Sequence, residues 1–471
     1  MLKKVTLGVI VGNRGFFPDK LVETGRVEIL ELLKKKNIET VCLSPGDTNL
    51  GGVETYDDAK KCAALFKTHA EVIDGILITL PNFGDEKAIA NTLKLSELEV
   101  PILIHAFPDN PNAMQLDSRR DSFCGKLSAC NNLYQYNIPF SLTTQHTAAP
   151  DDPSFHDDLD WFTAVCRIFK GLTSARIGAI GARTSAFNTV RFSEKLLEAD
   201  GISVETIDLY EVFGRVGKLR KDDPDVRRKL KELKSYCSVA GVPEAALLKM
   251  ARFGVVVDQW IAENELNATA IQCWTALEDY FGIVPCAVMS MLSNNLLPSA
   301  CEVDVTGALA MYALQLASGV PSALVDWNNN YGNELEKAVF FHCSNFPKSV
   351  FNETRMVYQD IIAGSVGKEN SYGTCVGRLK SGPFTFARIS TDDTQGIIKA
   401  YVGEGDITDD PLDTFGGFGV VRIPHLQTLL NFICTNGFEH HVAISPSMVA
   451  HSLVEVFDNY LGWEVYFHEA S

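Results

Sequence analysis

Residues 5–43 indicate the fold of the N-terminal part of the chain. Residues 5–11 read VTLGVIV, residues 19–36 read DKLVETGRVEILELLKKK, and residues 38–43 read IETVCL. The first and third stretches are apolar runs typical of strands covered on both faces, whereas the middle one repeats apolar side chains at helical spacing. This strand–helix–strand order predicts a parallel, doubly wound sheet.

The same alternation continues through the first 150 residues. The predicted elements that follow are a helix at 57–70, a strand at 73–80, a helix at 86–93 and a strand at 101–107. In such sheets ligands bind beyond the carboxyl ends of the strands. Those ends are Gly12–Gly15, Leu80–Phe83 and His105–Pro108.

Two later changes of pattern predict domain boundaries. Prolines and polar residues interrupt the chain at 148–153, after which a helix at 156–170 leads into a second series with strands at 176–180, 202–207, 269–273 and 322–326. After about Asn345 short strand-like runs are separated by Gly, Asp and Thr, which predicts an antiparallel, barrel-like domain. We therefore expect two doubly wound parallel-sheet α/β domains, residues 1–152 and 153–345, followed by an antiparallel β-rich C-terminal domain, residues 346–471.

Composition and charge argue against several classes of partner and cofactor. The formal charge of −17 disfavours nucleic acid and anionic membranes as partners, and no stretch has the length and apolarity of a membrane span. The 12 cysteines are scattered without CxxC pairs, and many lie in apolar stretches, which is typical of reduced thiols in a cytoplasmic protein. The first strand–helix turn, Gly12–Gly15, lacks the three-glycine dinucleotide fingerprint, so we expect no nucleotide cofactor.

The stretch Pro298–Ala308 carries two carboxylates, Glu302 and Asp304, among small and apolar residues. Capping of a helix N-terminus explains Asp304, because acids are favoured there by free N–H groups and by the helix dipole. It explains Glu302 less well, since a buried carboxylate is costly unless it is paired.

Two further segments offer groups for a divalent cation. Asp326 ends an apolar strand and is followed by Asn328–Asn330, while His440 and His441 are adjacent on a predicted strand and should point to opposite faces. Two carboxylates with one imidazole suit Mn²⁺ or Mg²⁺ better than a structural zinc ion. Spacing alone does not tie these residues together.

Several of these segments are similar to motifs of the L-fucose isomerase-like family, and more distantly of the L-arabinose isomerases. The matching segments occur in the family's order along the whole chain: residues 11–18, 121–128, 181–187, 300–308, the strand end at Asp326, 341–343 and 437–442. The compact branch of this family includes isomerases of sulfoquinovose, a sulfonated glucose.

The resemblance implies roles for particular residues. Glu302 and Asp326 would bind the metal and carry the acid–base work, and His441, rather than His440, would be the third protein ligand. His342 would be a metal ligand or a substrate contact. Arg14 would reach the active site of a neighbouring subunit, which implies a homo-oligomer, a trimer or a hexamer. Mn²⁺ is the expected metal, with Mg²⁺ or Co²⁺ as alternatives, and Asn328 and His440 are the remaining candidate sugar contacts.

These observations predict a metal-dependent aldose–ketose isomerase that acts on a monosaccharide through an ene-diol. The expected substrate is of the L-fucose/D-arabinose type or is an anionic hexose such as sulfoquinovose, for which Arg14, Arg183, Arg378 and Arg388 are candidate anion contacts. The alternative is a non-catalytic, cytosolic sugar-binding or sensing protein. Metal binding would discriminate between them, because a simple sugar receptor needs no metal.

Overall fold

The structure is a computed structural model that describes residues 4–469. It forms two compact units: residues up to Lys170 with Asn459–Leu461, and Gly171–Asp458 with the residues from Gly462 onward. The sequence predicted three domains, with boundaries after residues 152 and 345. The compact division instead falls near the end of a helix at Pro153–Leu172, and the second unit contains both a parallel sheet and a barrel.

The first unit alternates strands and helices as predicted. Its elements are β1 (Thr6–Val11), α1 (Asp19–Lys35), β2 (Glu39–Cys42), α2 (Tyr56–Thr68), β3 (Gly75–Leu80), α3 (Glu86–Ser96), β4 (Ile102–Ala106), α4 (Ser122–Gln135), β5 (Ser141–Leu142) and α5 (Pro153–Leu172). The five strands are all parallel in the order β2-β1-β3-β4-β5. Every residue of β3 and β4 is buried, which is why these strands read as unbroken apolar runs.

The second unit holds the remaining elements. They are β6 (Arg176–Ile180), α6 (Glu194–Ala199), β7 (Ser203–Ile207), α7 (Leu209–Lys218), α8 (Pro224–Tyr236), α9 (Glu244–Glu263), β8 (Ala268–Ile271), α10 (Cys286–Asn294), β9 (Ser299–Cys301), α11 (Val305–Ser318), β10 (Ala323–Asn330), β11 (Lys337–His342), β12 (Arg355–Tyr358), α12 (Asp360–Val366), β13 (Tyr372–Arg378), β14 (Gly382–Asp392), β15 (Ile397–Thr408), β16 (Gly417–Arg422), α13 (Leu426–Thr435), β17 (His441–Ser445), α14 (Ala450–Val454) and β18 (Glu464–His468).

Two sheets organise this second unit. The first is a four-stranded parallel sheet in the order β7-β6-β8-β9, and the second is a nine-stranded mixed sheet. Within the larger sheet, β16, β11, β10, β17, β14 and β15 pair antiparallel in that order, and β15 pairs back to β16. The predicted antiparallel barrel is therefore present, as a closed ring of six strands.

The strand that carries Asp326 differs from its prediction. Ser322–Asp326 was assigned to the second α/β series, but β10 is a barrel strand between β11 and β17. Its first three residues are buried, and a short apolar run of this kind is common to parallel strands and to the inner strands of a barrel. The sheet that such a strand joins depends on pairing partners that are distant along the chain.

Among residues 4–469, no helix combines the length and apolarity that crossing a bilayer requires.

Candidate active site

Glu302 occupies a turn between strand β9 and helix α11. Both Glu302 and Val303 have φ of 58°, in the left-handed region that residues other than glycine seldom adopt. Such strained positions persist where the surrounding structure enforces them, and they cluster at functional sites. The indole Nε1 of Trp274 donates a hydrogen bond of 3.1 Å to Oε1 of Glu302, which leaves Oε2 facing the centre of the site.

Asp326 and His441 are brought together by strand register. They are direct partners in the antiparallel pairing of β10 with β17, and side chains of such partners lie on the same face of a sheet. Nε2 of His441 lies 3.3 Å from Oδ1 of Asp326 and 3.2 Å from Oε2 of Glu302. Glu302, Asp326 and His441 therefore form one group, which we call the open cluster.

The facing atoms of the open cluster lack hydrogen bonds. Oε2 of Glu302, Oδ1 of Asp326 and Nε2 of His441 are each shielded from solvent and have no hydrogen-bond partner in the described part of the chain. Nδ1 of His441 is 2.8 Å from Oδ2 of Asp304, so a neutral ring that donates there turns a lone pair toward two carboxylates. Three converging acceptors suit a cation, and two carboxylate oxygens with one imidazole fit Mn²⁺ or Mg²⁺.

Electrostatics at the open cluster also favour positive charge. Burial lowers the pKa of His441, but the nearby carboxylates of Asp304 and Glu302 outweigh burial and raise it to about 9. Burial opposes ionisation of Glu302, yet His342 and His441 hold its pKa well below the ordinary value. Burial raises the pKa of Asp326, and the nearby histidines counter this only in part. The negative field that retains a proton on His441 would equally attract a metal cation.

A second group of residues contacts His441 on its Nδ1 side. We call Asp304, Thr306, Arg388, Ser390 and Glu439 the arginine cluster. The Arg388 guanidinium is fully buried and donates to Asp304 at 2.5 and 3.0 Å and to Glu439 at 2.9 Å. Burial raises the pKa of the Asp304 carboxyl, but Arg388 outweighs it and holds that pKa well below its usual range. Asp304 also caps α11 through the N–H of Gly307, as the sequence predicted, and it fixes the orientation of the imidazole.

His342 and His440 lie on two sides of the open cluster. Nε2 of His342, at the end of β11, is 3.6 Å from Oε2 of Glu302, and the side chain is 3% exposed. Nε2 of His440 is 3.8 Å from Oδ1 of Asp326, with 42% of the side chain exposed. The Phe187 ring packs against both His440 and His441 and covers this side of the site. His440 therefore faces solvent beside the site, where a substrate could reach it.

The other predicted contacts lie elsewhere. Asn328 is exposed two residues beyond Asp326, and its Oδ1 accepts a hydrogen bond from Asn329 at 2.7 Å. Arg14 belongs to the first unit, where its guanidinium donates to the carbonyl of Gly84, pairs with Glu86 and lies over the Phe83 ring. Asn328 therefore has its side-chain hydrogen bond with Asn329 and not with the open cluster.

Three arginines considered as anion contacts are engaged by this chain. Arg388 is wrong as a candidate, because it is buried and bound to Asp304 and Glu439. Arg378 donates to the carbonyls of Thr408 and Asp410. Arg183 donates to the carbonyl of Thr184 at 2.9 Å. The sequence around a single arginine does not show which groups the side chain will bind in the fold.

Trp274 and Phe187 are site residues that the sequence did not single out. Trp274 directly follows the strand predicted at 269–273, and the only signal was its place at a strand end. Phe187 ends the segment 181–187, which is similar to a family motif but gives no role for this ring. Both rings pack together, with centroids 5.9 Å apart, over the carboxylates and histidines.

Comparisons with known proteins identify the family. Residues 8–173 match the family Fucose/sulfoquinovose isomerase, N-terminal domain, and residues 340–468 match the family L-fucose isomerase, C-terminal domain. The chain is 24% identical over 392 residues to the sulfoquinovose isomerase of Alkalicoccus urumqiensis, covering 81% of this chain and 84% of that protein. It is 22% identical over 449 residues to the sulfoquinovose isomerase of Priestia aryabhattai, covering 92% of this chain and 94% of that protein.

A solved ABC transporter solute binding protein from Burkholderia multivorans aligns at 10% identity over 68% of this chain and 95% of its own. Its TM-score of 0.18 is too low to bear on the fold.

The fold and the two family matches define the class as an aldose–ketose sugar isomerase. The chain belongs to the L-fucose isomerase-like family, which includes the sulfoquinovose isomerases.

Proposed function

We propose that the chain is a divalent-metal-dependent aldose–ketose isomerase that works through an ene-diol. The observation that carries the proposal is the convergence of three buried, unpartnered atoms: Oε2 of Glu302, Oδ1 of Asp326 and Nε2 of His441. A structural role would pair these groups, because each unpaired buried polar group costs about 1–3 kcal/mol. A cation site makes their arrangement favourable.

The proposed site holds the metal through Glu302, Asp326 and His441. Mn²⁺ is the first candidate, with Mg²⁺ or Co²⁺ as alternatives. When bound, the cation acts as a Lewis acid that polarises the sugar oxygens O1 and O2. His342, whose Nε2 faces Glu302, is positioned as a further ligand or as a contact to one of these oxygens.

The carboxylates are proposed to move the protons. The reaction removes the proton from C2, returns one to C1, and shifts hydrogen from O2 to O1. Glu302 and Asp326 share this acid–base work, which is worth about 10²–10⁴-fold in rate for a well-positioned group. Phe187 and Trp274 restrict the access of water beside the carboxylates, and the exposed His440 is proposed to bind a sugar hydroxyl.

Sulfoquinovose is the first substrate to test, because the relatives reported above are named sulfoquinovose isomerases; L-fucose and D-arabinose follow. A sulfonate needs a fork of N–H donors, which an arginine provides. Arg388 is buried and bound to Asp304 and Glu439. We propose Arg14 from a neighbouring copy as the anion contact, which is the position that the family resemblance implies for it. We also propose that the enzyme is cytoplasmic and a homo-oligomer, a trimer or a hexamer. Asn328 is the remaining candidate contact to the sugar.

An NMR assay in D₂O tests the proposal. The metal-stripped protein is supplied with Mn²⁺ and offered sulfoquinovose, L-fucose, D-arabinose and L-arabinose in separate reactions. We expect ketose to form from one sugar, with deuterium at C2 of the aldose that is regenerated. Retention of the C2 proton during turnover would exclude exchange through an ene-diol. No turnover of any sugar, with no Mn²⁺-dependent binding, would favour a sugar-binding protein.

A further inference from the structure

Four cysteine thiols lie together behind the open cluster. Cys273 follows β8, Cys286 begins α10, Cys301 ends β9, and Cys343 follows His342 at the end of β11. Cys273, Cys286 and Cys301 are buried, with at most 4% exposure. The sequence separation of 13 to 42 residues between successive thiols hides this grouping, which only the fold creates.

Two of the thiols share His342 with the open cluster. The ligand atoms of Cys301, Cys343 and His342 all lie within 4.8 Å of one another. Sγ of Cys343 is 3.3 Å from Nδ1 of His342, and that same nitrogen accepts a hydrogen bond of 3.0 Å from the backbone N–H of Cys343. Nδ1 therefore carries a lone pair on the thiol side, while Nε2 faces Glu302.

Cys286 extends the group to a third thiol. Its side chain interacts with the thiols of both Cys301 and Cys343. Three thiols and one imidazole are a ligand set that proteins use for tetrahedral zinc. Thiols that merely fill apolar space have no need of a histidine nitrogen among them.

A buried acid lies near the thiols. Glu278 is fully buried, and neither of its carboxylate oxygens has a hydrogen-bond partner in the described structure. It lies within electrostatic reach of Cys343. Burial raises the pKa of this carboxyl group, so its neutral form is favoured.

We propose that Cys301, Cys343 and Nδ1 of His342, with Cys286 as the fourth donor, form a second cation site that binds a soft divalent metal such as Zn²⁺. Sulfur ligands separate it chemically from the oxygen-rich open cluster. Each thiol that binds releases its proton to solvent, so the ligands become thiolates. Zinc on Nδ1 would replace the hydrogen bond from the backbone N–H of Cys343. Nε2 would then keep its proton and face Glu302, so His342 would contact Glu302 or the substrate and would not bind the metal of the open cluster.

Zinc X-ray absorption of the full chain tests this site without relying on isomerase activity. The metal-stripped, reduced protein receives two equivalents of Zn²⁺, enough for both sites. We expect a sulfur shell at about 2.3 Å in addition to nitrogen or oxygen neighbours at about 2.0–2.1 Å. A spectrum with nitrogen and oxygen neighbours alone would overturn the proposal, whatever the protein's catalytic activity.

Variants locate the sulfur ligands. Cys301→Ser and Cys343→Ser should abolish the sulfur shell, and Cys286→Ser should reduce the number of sulfur neighbours. The control is the double variant Cys124→Ser/Cys434→Ser, because these two thiols are exposed and lie outside the group. The sulfur shell should persist in the control, and its loss there would overturn the proposal. If a buried-thiol variant does not fold, the wild type and this control still decide the question.

Discussion

The arginine cluster and the open cluster are neighbouring buried groups that differ in how their charges are satisfied. In the arginine cluster the guanidinium of Arg388 binds Asp304 and Glu439, and both carboxylates accept hydrogen bonds. In the open cluster the facing atoms of Glu302 and Asp326 have no partner. His441 belongs to both, with Nδ1 on the satisfied side and Nε2 on the unsatisfied side. A complete hydrogen-bond network indicates a structural role, and convergent unpaired atoms indicate a binding site.

The largest expected effect comes from the open cluster. Glu302→Gln and Asp326→Asn should each lower turnover of the sugar substrate by about 10²–10⁴-fold, because each removes a proton-transfer group. Asp326→Asn should not lower the melting temperature, since burial disfavours the charge of this carboxylate. Glu302→Gln should lower it modestly, because the amide loses the attraction between the ionised carboxylate and the two histidines. Steady-state kinetics and thermal melting measure both effects. Asp406→Asn, at an exposed pair with Arg422, is the matched control. Full activity in both open-cluster variants would refute their assignment.

Substitution in the arginine cluster should instead lower the free energy of unfolding. Arg388→Met leaves Asp304 and Glu439 buried without their cation, and breaking a buried ion pair in this way costs about 3–5 kcal/mol in the free energy of unfolding. Denaturant unfolding measures the loss. Arg422→Met, which breaks an exposed pair with Asp406, should cost about 0–1 kcal/mol. Equal losses in the two variants would remove the distinction between the clusters.

An intermediate effect is expected where the two clusters meet. Asp304→Asn keeps an acceptor for Nδ1 of His441 but removes the negative charge that favours a cation on Nε2. Changes to such supporting groups weaken metal binding by about 10–100-fold. A Mn²⁺ titration monitored by electron paramagnetic resonance gives the affinity. Unchanged affinity would show that Asp304 serves only as the cap of α11.

Glu278 tests how burial alone makes stability depend on pH. Burial raises the pKa of this carboxyl group to about 8, above its value in the unfolded chain. The stability that the group contributes is therefore complete at low pH and is lost as the pH rises through 8. Glu278→Gln should raise the melting temperature at pH 9 and change it little at pH 5, because the carboxyl group is ionised in the fold only at the higher pH. An equal shift at both pH values would contradict this linkage.

Local patterns predicted much of the fold, and long-range pairing accounts for what they missed. The helix expected at 19–36 is observed at Asp19–Lys35, and the strand expected at 73–80 at Gly75–Leu80. These elements follow from periodicity that a single segment contains. The assignment of Asp326 to the second α/β series was wrong, because pairing of β10 with β17 joins residues more than 100 positions apart.

The candidate site was predicted in its residue types but not in its supporting contacts. Glu302 and His441 were chosen from the sequence, and the structure brings them within 3.2 Å of each other. Arg388 was considered as an anion contact, although it is the buried partner of Asp304. Nothing local in the sequence distinguishes an arginine on the surface from one enclosed by two carboxylates, since those carboxylates lie 84 and 51 residues away along the chain.

Metal binding by the stripped protein tests the central claim most directly. A Mn²⁺ titration of the wild type, monitored by electron paramagnetic resonance, should show one equivalent bound at the open cluster. Glu302→Gln, Asp326→Asn and His441→Gln should each abolish or strongly weaken that binding, while Asp406→Asn should not. If the three variants bind Mn²⁺ as tightly as the wild type, the unpaired atoms of the open cluster are not a metal site.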